Sequence, residues 1–185
     1  MKRISVVGST GSGKTTFARE LARRLNVEHV ELDALAWGPN WTLVPVEVFQ
    51  ERVARAVEGD AWVIDGNYGG RGAQSLVLPR ADTVIWLDPP LAVIFQRLFA
   101  RALQRIRSGE ELWGLTGNRE TLRNQFFSRD SLFLWALKTH YRRRRALPLI
   151  YSRPEHAYLV VHRFRRPAEA AAWLSSIGGP ATAGR

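Results

Sequence analysis

Residues 8–15 read G-S-T-G-S-G-K-T and match the pattern G-x-x-x-x-G-K-[ST] in full. The apolar residues 4–7 precede this stretch and a helical pattern follows it, so we expect a strand, a glycine-rich turn and a helix in that order. In this arrangement backbone N–H groups wrap around phosphate oxygens, and the positive end of the helix dipole adds to the attraction. The stretch therefore predicts a loop that binds the phosphates of a nucleotide.

Two side chains of this loop are expected to bind the phosphates and the metal directly. Lys14 is expected to reach the β- and γ-phosphates, and Thr15 to offer a hydroxyl ligand to Mg²⁺. The loop and the first helical turn are expected to contact the phosphates through Gly8, Ser9, Thr10, Gly11, Ser12, Gly13, Lys14, Thr15 and Thr16.

The chain has the size and composition of one domain, with 185 residues of which 45% are hydrophobic. We expect a single domain over residues 1–177 and a disordered tail over residues 178–185, which are small and rich in Gly. The absence of cysteine excludes disulfides and thiolate metal sites. With no signal-peptide pattern and no apolar stretch near the roughly 18 residues of a membrane span, the sequence predicts a soluble cytoplasmic protein.

Strand-like runs alternate with helical patterns along the chain, which is typical of an α/β fold with a buried parallel sheet and helices on both faces. Helices are expected from Lys14, from Pro45 to Gly59, after Pro89 and Pro90, and over residues 121–127 and 131–145. The five predicted strands cover residues 3–7, 29–32, 61–64, 83–87 and 157–161.

Positive charge is concentrated in one region. The formal net charge is +10, and residues 97–145 hold twelve Lys or Arg against four Asp or Glu. We expect this region to form a helical, arginine-rich lid that neutralises phosphate charge and excludes water. Of its arginines, Arg101, Arg105 and Arg123 are the favoured catalytic candidates; the outer arginines are equally compatible with a solvated face.

Two aspartates end predicted strands and compete for the metal. Asp65 precedes a glycine, so its carboxylate should emerge at the carboxyl edge of the sheet, where ligands bind in open α/β folds. Asp88 ends the next strand equally well, but the prolines after it also suit a helix start. We favour Asp65 together with Thr15 as the Mg²⁺ ligands and keep Asp88 as the alternative.

Four segments resemble the adenylate-kinase-like branch of P-loop kinases: the loop at 8–15, Asp33, W-V-I-D-G at 62–66 and W-L-D-P-P at 86–90. The segments L-D-A-L-A-W-G-P-N-W at 32–41 and I-D-G-N-Y at 64–68 are more closely similar to a bacterial kinase-like group named DNA topology modulation proteins. The resemblance implies a three-layer α/β/α P-loop NTPase fold, a five-stranded parallel sheet of order 2-3-1-4-5, and ATP as phosphoryl donor.

The same resemblance places Asp33 beside the phosphate acceptor, where its carboxylate would orient or deprotonate a hydroxyl; a helix or turn cap is the alternative. The expected acceptor-binding residues are Asp33, Trp37, Trp41, Asn67, Tyr68 and Arg71, and packing in the core is an equal alternative for Trp37 and Trp41. Adenylate kinases continue D-G with F-P-R, whereas residues 65–71 read D-G-N-Y-G-G-R, so specificity for AMP does not carry over.

The sequence therefore predicts an ATP- and Mg²⁺-dependent phosphotransferase acting on a small-molecule or nucleotide acceptor. The alternative is a nucleic-acid-associated regulatory ATPase, suggested by the basic region but without any recognisable nucleic-acid-binding module. The guanine signature N-K-x-D and the transporter signature L-S-G-G-Q are both absent. The four histidines lack metal-ligand spacing and are expected to be incidental.

Overall fold

The computed structural model describes residues 1–108, 111–118 and 132–178. The predicted helix over residues 121–127, the predicted lid residue Arg123 and residues 179–185 of the predicted tail lie outside this part of the chain.

The centre of the fold is a parallel sheet of five strands in the order β2-β3-β1-β4-β5, which confirms the predicted architecture and order. β1 lies in the middle and pairs with β3 on one side and β4 on the other. The strands are β1 (Arg3–Gly8), β2 (Glu28–Glu31), β3 (Trp62–Asp65), β4 (Thr83–Leu87) and β5 (Val160–Phe164).

The prediction for β5 over residues 157–161 was wrong by three residues. The chain turns there, with Leu159 N donating to His156 O at 3.0 Å, and the strand begins only at Val160. β5 is the last strand of the sheet and pairs with β4. An edge position tolerates polar residues such as His162 and Arg163, which a search for continuous apolar runs overlooks.

The helices cover both faces of the sheet. They are α1 (Lys14–Leu25), α2 (Leu32–Ala36), α3 (Val46–Ala56), α4 (Ala73–Val77), α5 (Leu91–Ser108), α6 (Leu132–Tyr151) and α7 (Pro167–Ser176). The prediction ended α6 at residue 145, but the helix passes through Pro148. Pro148 lies in the last turn of α6. The hydrogen bond that its missing N–H removes, and the strain from its ring, therefore affect only the end of the helix.

Alternating side chains of the strands build two cores. Trp62 and Ile64 of β3 pack on one face with Phe49 and Val53 of α3. Val63 points to the other face, where it joins a cluster that contains residues of α1 and α7. This division fixes which strand residues face α1, because successive side chains of a strand point to opposite faces.

Parallel strands end at one edge, so the segments after β1, β2, β3 and β4 meet there. α5 and α6 stand beside this edge and pack together through Ile94, Leu98 and Ala136. The rings of Phe95 and Phe133 extend that contact, with centroids 5.8 Å apart. Within the part of the chain that the structure describes, none of the helices is both long and apolar enough to span a bilayer.

Candidate active site

The phosphate-binding loop takes a conformation that only glycine adopts without strain. Gly11 and Gly13 have φ angles of +75° and +94°. A Cβ on Gly13 would lie 2.9 Å from Nη1 of Arg97, and the same nitrogen donates to the carbonyl of Ser12 at 2.6 Å. Arg97 therefore supports the loop from α5, and both glycines are required where the helices approach.

Lys14 lies at the centre of the charges in the cleft. Its Nζ donates to the carbonyl of Ser9 at 3.2 Å. Burial lowers the pKa of Lys14, Asp65 and Asp33 oppose that shift, and Arg143 and Arg101 add to it. Two carboxylates and two guanidinium groups thus act on one lysine, as expected where phosphate charge is neutralised on one side and a metal or hydroxyl is held on the other.

Thr15 and Asp65 form a pair that suits Mg²⁺. The hydroxyl of Thr15 donates to Oδ1 of Asp65 at 3.1 Å, and the Asp65 side chain is fully buried at the end of β3. Mg²⁺ prefers oxygen ligands and keeps several waters, so one hydroxyl and one carboxylate beside a phosphate loop fit this ion. The predicted ligands therefore lie in contact.

Asp88, the alternative metal ligand, is instead held by arginines. Nε of Arg144 lies 2.8 Å from Oδ1 of Asp88, and Nη2 of Arg163 lies 2.6 Å from Oδ2. The guanidinium of Arg163 also lies over the ring of Trp86, 3.9 Å from its centroid. Both oxygens of Asp88 are thus used in ion pairs that attach α6 and β5 to the end of β4.

Asp33 faces the cleft from the first turn of α2 and is paired with Tyr68. The Tyr68 hydroxyl donates to Oδ1 of Asp33 at 2.5 Å. Burial, followed by the neighbouring Asp33 carboxylate, raises the pKa of Tyr68, while the indole of Trp37 opposes this shift. Tyr68 is therefore a proton donor throughout the neutral range, which keeps Asp33 oriented.

Three tryptophans form a wall on the same side of the cleft. The rings of Trp37 and Trp41 meet edge to face at 5.5 Å, and Trp41 meets Trp113 in the same way at 6.0 Å. Burial, followed by Asp65 and Asp33, raises the pKa of Glu31, and the indole of Trp113 opposes this shift. Sequence reasoning missed Trp113, because nothing local shows that residues 111–118 return to Trp41.

Asn118 attaches residues 111–118 to the loop before α3. Its fully buried side chain accepts from Trp41 N at 2.6 Å and donates to Gly38 O at 3.1 Å. A backbone bond from Asn40 N to Thr116 O at 2.9 Å strengthens this attachment. The wall of tryptophans is thus fixed by main-chain contacts as well as by ring packing.

Asn67 and Arg71 line the cleft but also have structural partners. The Asn67 amide donates to Gly8 O at 2.8 Å and accepts from Gly8 N at 3.3 Å, so it braces the entry to the phosphate loop. Arg71 donates to the carbonyl of Val44 and lies over the Phe49 ring, 5.2 Å from its centroid. Their predicted contacts with an acceptor stay predictions.

The arginines of α5 and α6 reach the cleft from one side. Arg101 and Arg105, two of the predicted catalytic arginines, line it together with Arg97 and Arg143. Arg143 belongs to the run over residues 142–145, for which the sequence indicated only that one or two members face inward. Burial lowers the pKa of Arg143 to about 10, with the charge of Arg142 adding to the shift, so it stays a cation at neutral pH.

Two of the histidines expected to be incidental contact the site. Nε2 of His29 lies 2.8 Å from Oδ2 of Asp65. Nδ1 of His140 lies 3.5 Å from the Ser9 hydroxyl, and burial lowers the pKa of His140. Neither contact has a sequence signal, because each joins residues that are distant along the chain.

One cleft of about 2220 Å³ includes both halves of the site, the phosphate loop on one side and Asp33 with the tryptophans on the other. Its opening admits two ligands of ordinary metabolite size.

Comparisons with known proteins agree with this fold. No family model matches the chain. A shikimate kinase of Symbiobacterium thermophilum is 32% identical over 140 residues, which cover 68% of this chain and 80% of the relative. The structure is similar to shikimate kinase from Acinetobacter baumannii in complex with shikimate, with TM-score 0.56, 18% identity and coverage of 96% and 90% of the two chains. It is also similar to a gluconokinase from Sinorhizobium meliloti, with TM-score 0.51, 17% identity and coverage of 96% and 93%.

Proposed function

The chain belongs to the shikimate kinase family of P-loop kinases, and from this premise we propose that it transfers the γ-phosphate of ATP to a hydroxyl group of a small molecule bound beside Asp33. It is a small-molecule phosphotransferase that uses ATP and Mg²⁺. The acceptor is proposed by chemical class alone, as a hydroxylated compound small enough for the space between Asp33 and the tryptophan wall.

The observation that carries this proposal is the arrangement of charges around Lys14. Asp33 and Arg143 act on Lys14 from within the same cleft, while Tyr68 holds the Asp33 carboxylate by a bond of 2.5 Å. A phosphate held by Lys14 and a hydroxyl held by Asp33 would therefore be neighbours. Such proximity supplies much of the rate acceleration in phosphoryl transfer.

In the proposed reaction the acceptor hydroxyl donates a hydrogen bond to Asp33, which orients its oxygen and accepts the proton as attack proceeds. The bond between the acceptor oxygen and the γ-phosphorus forms while the bond to the bridging oxygen of ADP breaks. Lys14, Arg101 and Arg143 support the charge on the transferring group. The tryptophan wall excludes water that would otherwise compete as the nucleophile.

Thr15 and Asp65 are the residues that would hold Mg²⁺, and the ion supplies neutralisation of the β- and γ-phosphate oxygens when it is bound. The contact of 3.1 Å between their oxygens supports this assignment. Thr15 donates to one oxygen of Asp65, and Nε2 of His29 lies within hydrogen-bond distance of the other.

The test is ATP turnover with a panel of candidate acceptors: shikimate, gluconate, other polyols, nucleosides, nucleotides and DNA. We expect ADP to form promptly with one small hydroxylated compound and the phosphorylated product to appear in equal amount. Asp33→Asn should abolish that transfer while ATP binding persists. Glu28→Gln, an exposed change in β2, is the control that should retain full activity.

ATP hydrolysis stimulated by DNA alone would overturn the proposal in favour of a nucleic-acid-associated ATPase. DNA binding by itself would not do so, because a protein of net charge +10 binds polyanions through charge. The finer resemblance to the DNA topology modulation group and the cytoplasmic location remain predictions from the sequence.

A further inference from the structure

His29 contacts Asp65 although the two residues belong to different strands. In the parallel register His29 lies opposite Val63, and its Nε2 reaches two residues further to Oδ2 of Asp65 at 2.8 Å. His29 is half-buried, whereas the Asp65 side chain has no exposed surface. The contact is therefore a partly buried, directed hydrogen bond to a carboxylate that has no exposed surface.

Both residues point to the face of the sheet that α1 covers. Val30 belongs to the opposite core, so His29 must face α1; Val63 packs beside α1, and Asp65 follows it by two residues. Thr15 lies in the first turn of α1 and donates to the other oxygen of Asp65. The carboxylate is thus held between two donors, one on each oxygen.

We propose that His29 is a positioning residue for the metal site, which fixes the rotation of the Asp65 carboxylate so that Oδ1 stays beside Thr15. An ionised carboxylate only accepts hydrogen bonds, so His29 must carry its proton on Nε2 toward Asp65. Without this donor the carboxylate would rotate about its terminal torsion, which has a broad energy profile. The inference rests on the proposed function, because it concerns the Mg²⁺ that accompanies ATP.

Glu31 is a second carboxylate near His29, and the imidazole opposes the burial that raises the pKa of Glu31. The hydrogen bond of His29 goes to Asp65, while the indole of Trp113 opposes the rise in the pKa of Glu31. His29 therefore distinguishes between two neighbouring carboxylates. Glu31 is therefore associated with Trp113 of the tryptophan wall, and Asp65 with Thr15 of the proposed metal site.

The experiment compares His29→Leu, His29→Gln and the wild type, with Glu28→Gln as a matched control one residue earlier in β2. Mn²⁺ replaces Mg²⁺ so that its binding in the presence of a non-hydrolysable ATP analogue can be followed by electron paramagnetic resonance. Affinity for the analogue without metal is measured in parallel, and thermal unfolding checks that each variant is folded.

We expect His29→Leu to weaken Mn²⁺ binding by about 10- to 100-fold, the usual effect of removing a partner that orients a ligand. Metal-free binding of the analogue should not change. His29→Gln keeps a side-chain N–H and should recover most of the Mn²⁺ affinity, which a purely structural role would not predict. Should His29→Leu fail to fold, His29→Ala takes its place as the variant without a donor: a loss of Mn²⁺ affinity that His29→Gln recovers supports the inference, and an affinity equal to that of the wild type overturns it.

Equal Mn²⁺ affinity in folded His29→Leu and wild type would overturn this inference and leave the proposed function intact. Weak Mn²⁺ binding by His29→Gln equal to that of His29→Leu would also overturn it, because the donor would then not matter. Failure of the wild type to bind the ATP analogue at all would overturn the proposed function, and this inference with it.

Discussion

The hydroxyl of Tyr68 donates to Oδ1 of Asp33 over 2.5 Å, which joins the segment after β3 to the first turn of α2. A hydrogen bond to a charged group contributes about 1.5 to 3 kcal/mol. The bond therefore fixes the carboxylate that we propose to receive the acceptor hydroxyl.

Tyr68→Phe should lower kcat/KM for the acceptor by about 10- to 100-fold, since the orientation of Asp33 is lost while its charge remains. The measurement is steady-state transfer with the acceptor found in the panel. Tyr158→Phe is the control, because the Tyr158 hydroxyl also makes a hydrogen bond, to Leu78 O at 2.8 Å. Equal losses in the two variants would speak against a role for the Tyr68–Asp33 bond.

Alkaline pH should destabilise the fold through two tyrosines. Burial raises the pKa of Tyr68 and of Tyr151 above the ordinary value of about 10. Above that value the unfolded chain releases both protons and the folded chain retains them, so the free energy of unfolding falls as pH rises. Below it the contribution is fully present.

Urea unfolding at about pH 9 and about pH 11 would measure this fall. The double variant Tyr68→Phe with Tyr151→Phe should show a smaller fall than the wild type. If both proteins lose the same free energy between the two conditions, the two tyrosines do not carry the effect.

Variants of Asp88 and Asp65 should have different effects, the first on the stability of the fold and the second on metal binding. Asp88→Asn removes the charge between Arg144 and Arg163 and should lower the free energy of unfolding by about 3 to 5 kcal/mol, while the folded fraction still binds Mn²⁺ with ATP. Asp65→Asn should weaken Mn²⁺ binding by at least about tenfold. Denaturant titration and Mn²⁺ binding on both variants give the comparison, and a loss of Mn²⁺ binding in folded Asp88→Asn would reverse the assignment.

Asn118→Ala should loosen the tryptophan wall. It removes the side chain that accepts from Trp41 N and donates to Gly38 O, at a cost of about 1 to 3 kcal/mol. We expect faster hydrogen exchange at Trp41 and more ATP hydrolysis in the absence of acceptor. Thr116→Ala is the control, since only the backbone of Thr116 makes the contact to Asn40; the same exchange rate in both variants would contradict the role of Asn118.

Arg143→Gln should slow phosphoryl transfer by about 100- to 1000-fold, as removal of one charge-stabilising donor does in other enzymes. Arg145→Gln, two residues further along α6 and exposed, should stay close to wild type. Single-turnover transfer with saturating ATP separates this effect from binding. Similar transfer rates for Arg143→Gln and Arg145→Gln would show that Arg143 does not take part in phosphoryl transfer.

The phosphate loop, Asp33 and Asp65 could be predicted from the sequence because each lies at or just after the end of a strand, and parallel strands end at one edge of the sheet. The resemblance to P-loop kinases added the expected position of Asp33 beside the acceptor. β5 was misplaced because an edge strand carries polar residues such as His162 and Arg163. The predicted end of α6 at residue 145 was too early for a different reason. Pro148 predicts a helix end, but the helix continues to Tyr151.

Trp113, Arg143 and His29 could not be assigned in the same way. Trp113 reaches the site only because Asn118 attaches its segment to Trp41, which is a contact between distant parts of the chain. Arg143 faces inward because Arg144 is fixed to Asp88, and four consecutive arginines look alike in sequence. His29 depends on the strand register, which places it within reach of Asp65.

The ion pair between Arg144 and Asp88 fixes α6 at one point, which would act as the pivot of any rotation of the helix. Leu132, at the start of the helix, lies twelve residues from Arg144, a distance of about 18 Å along the axis. A rotation of about 10° about the pivot would move Leu132 by about 3 Å. Arg143, adjacent to the pivot, would hardly move, so a displacement of the far end of α6 would leave the guanidinium of Arg143 in the cleft.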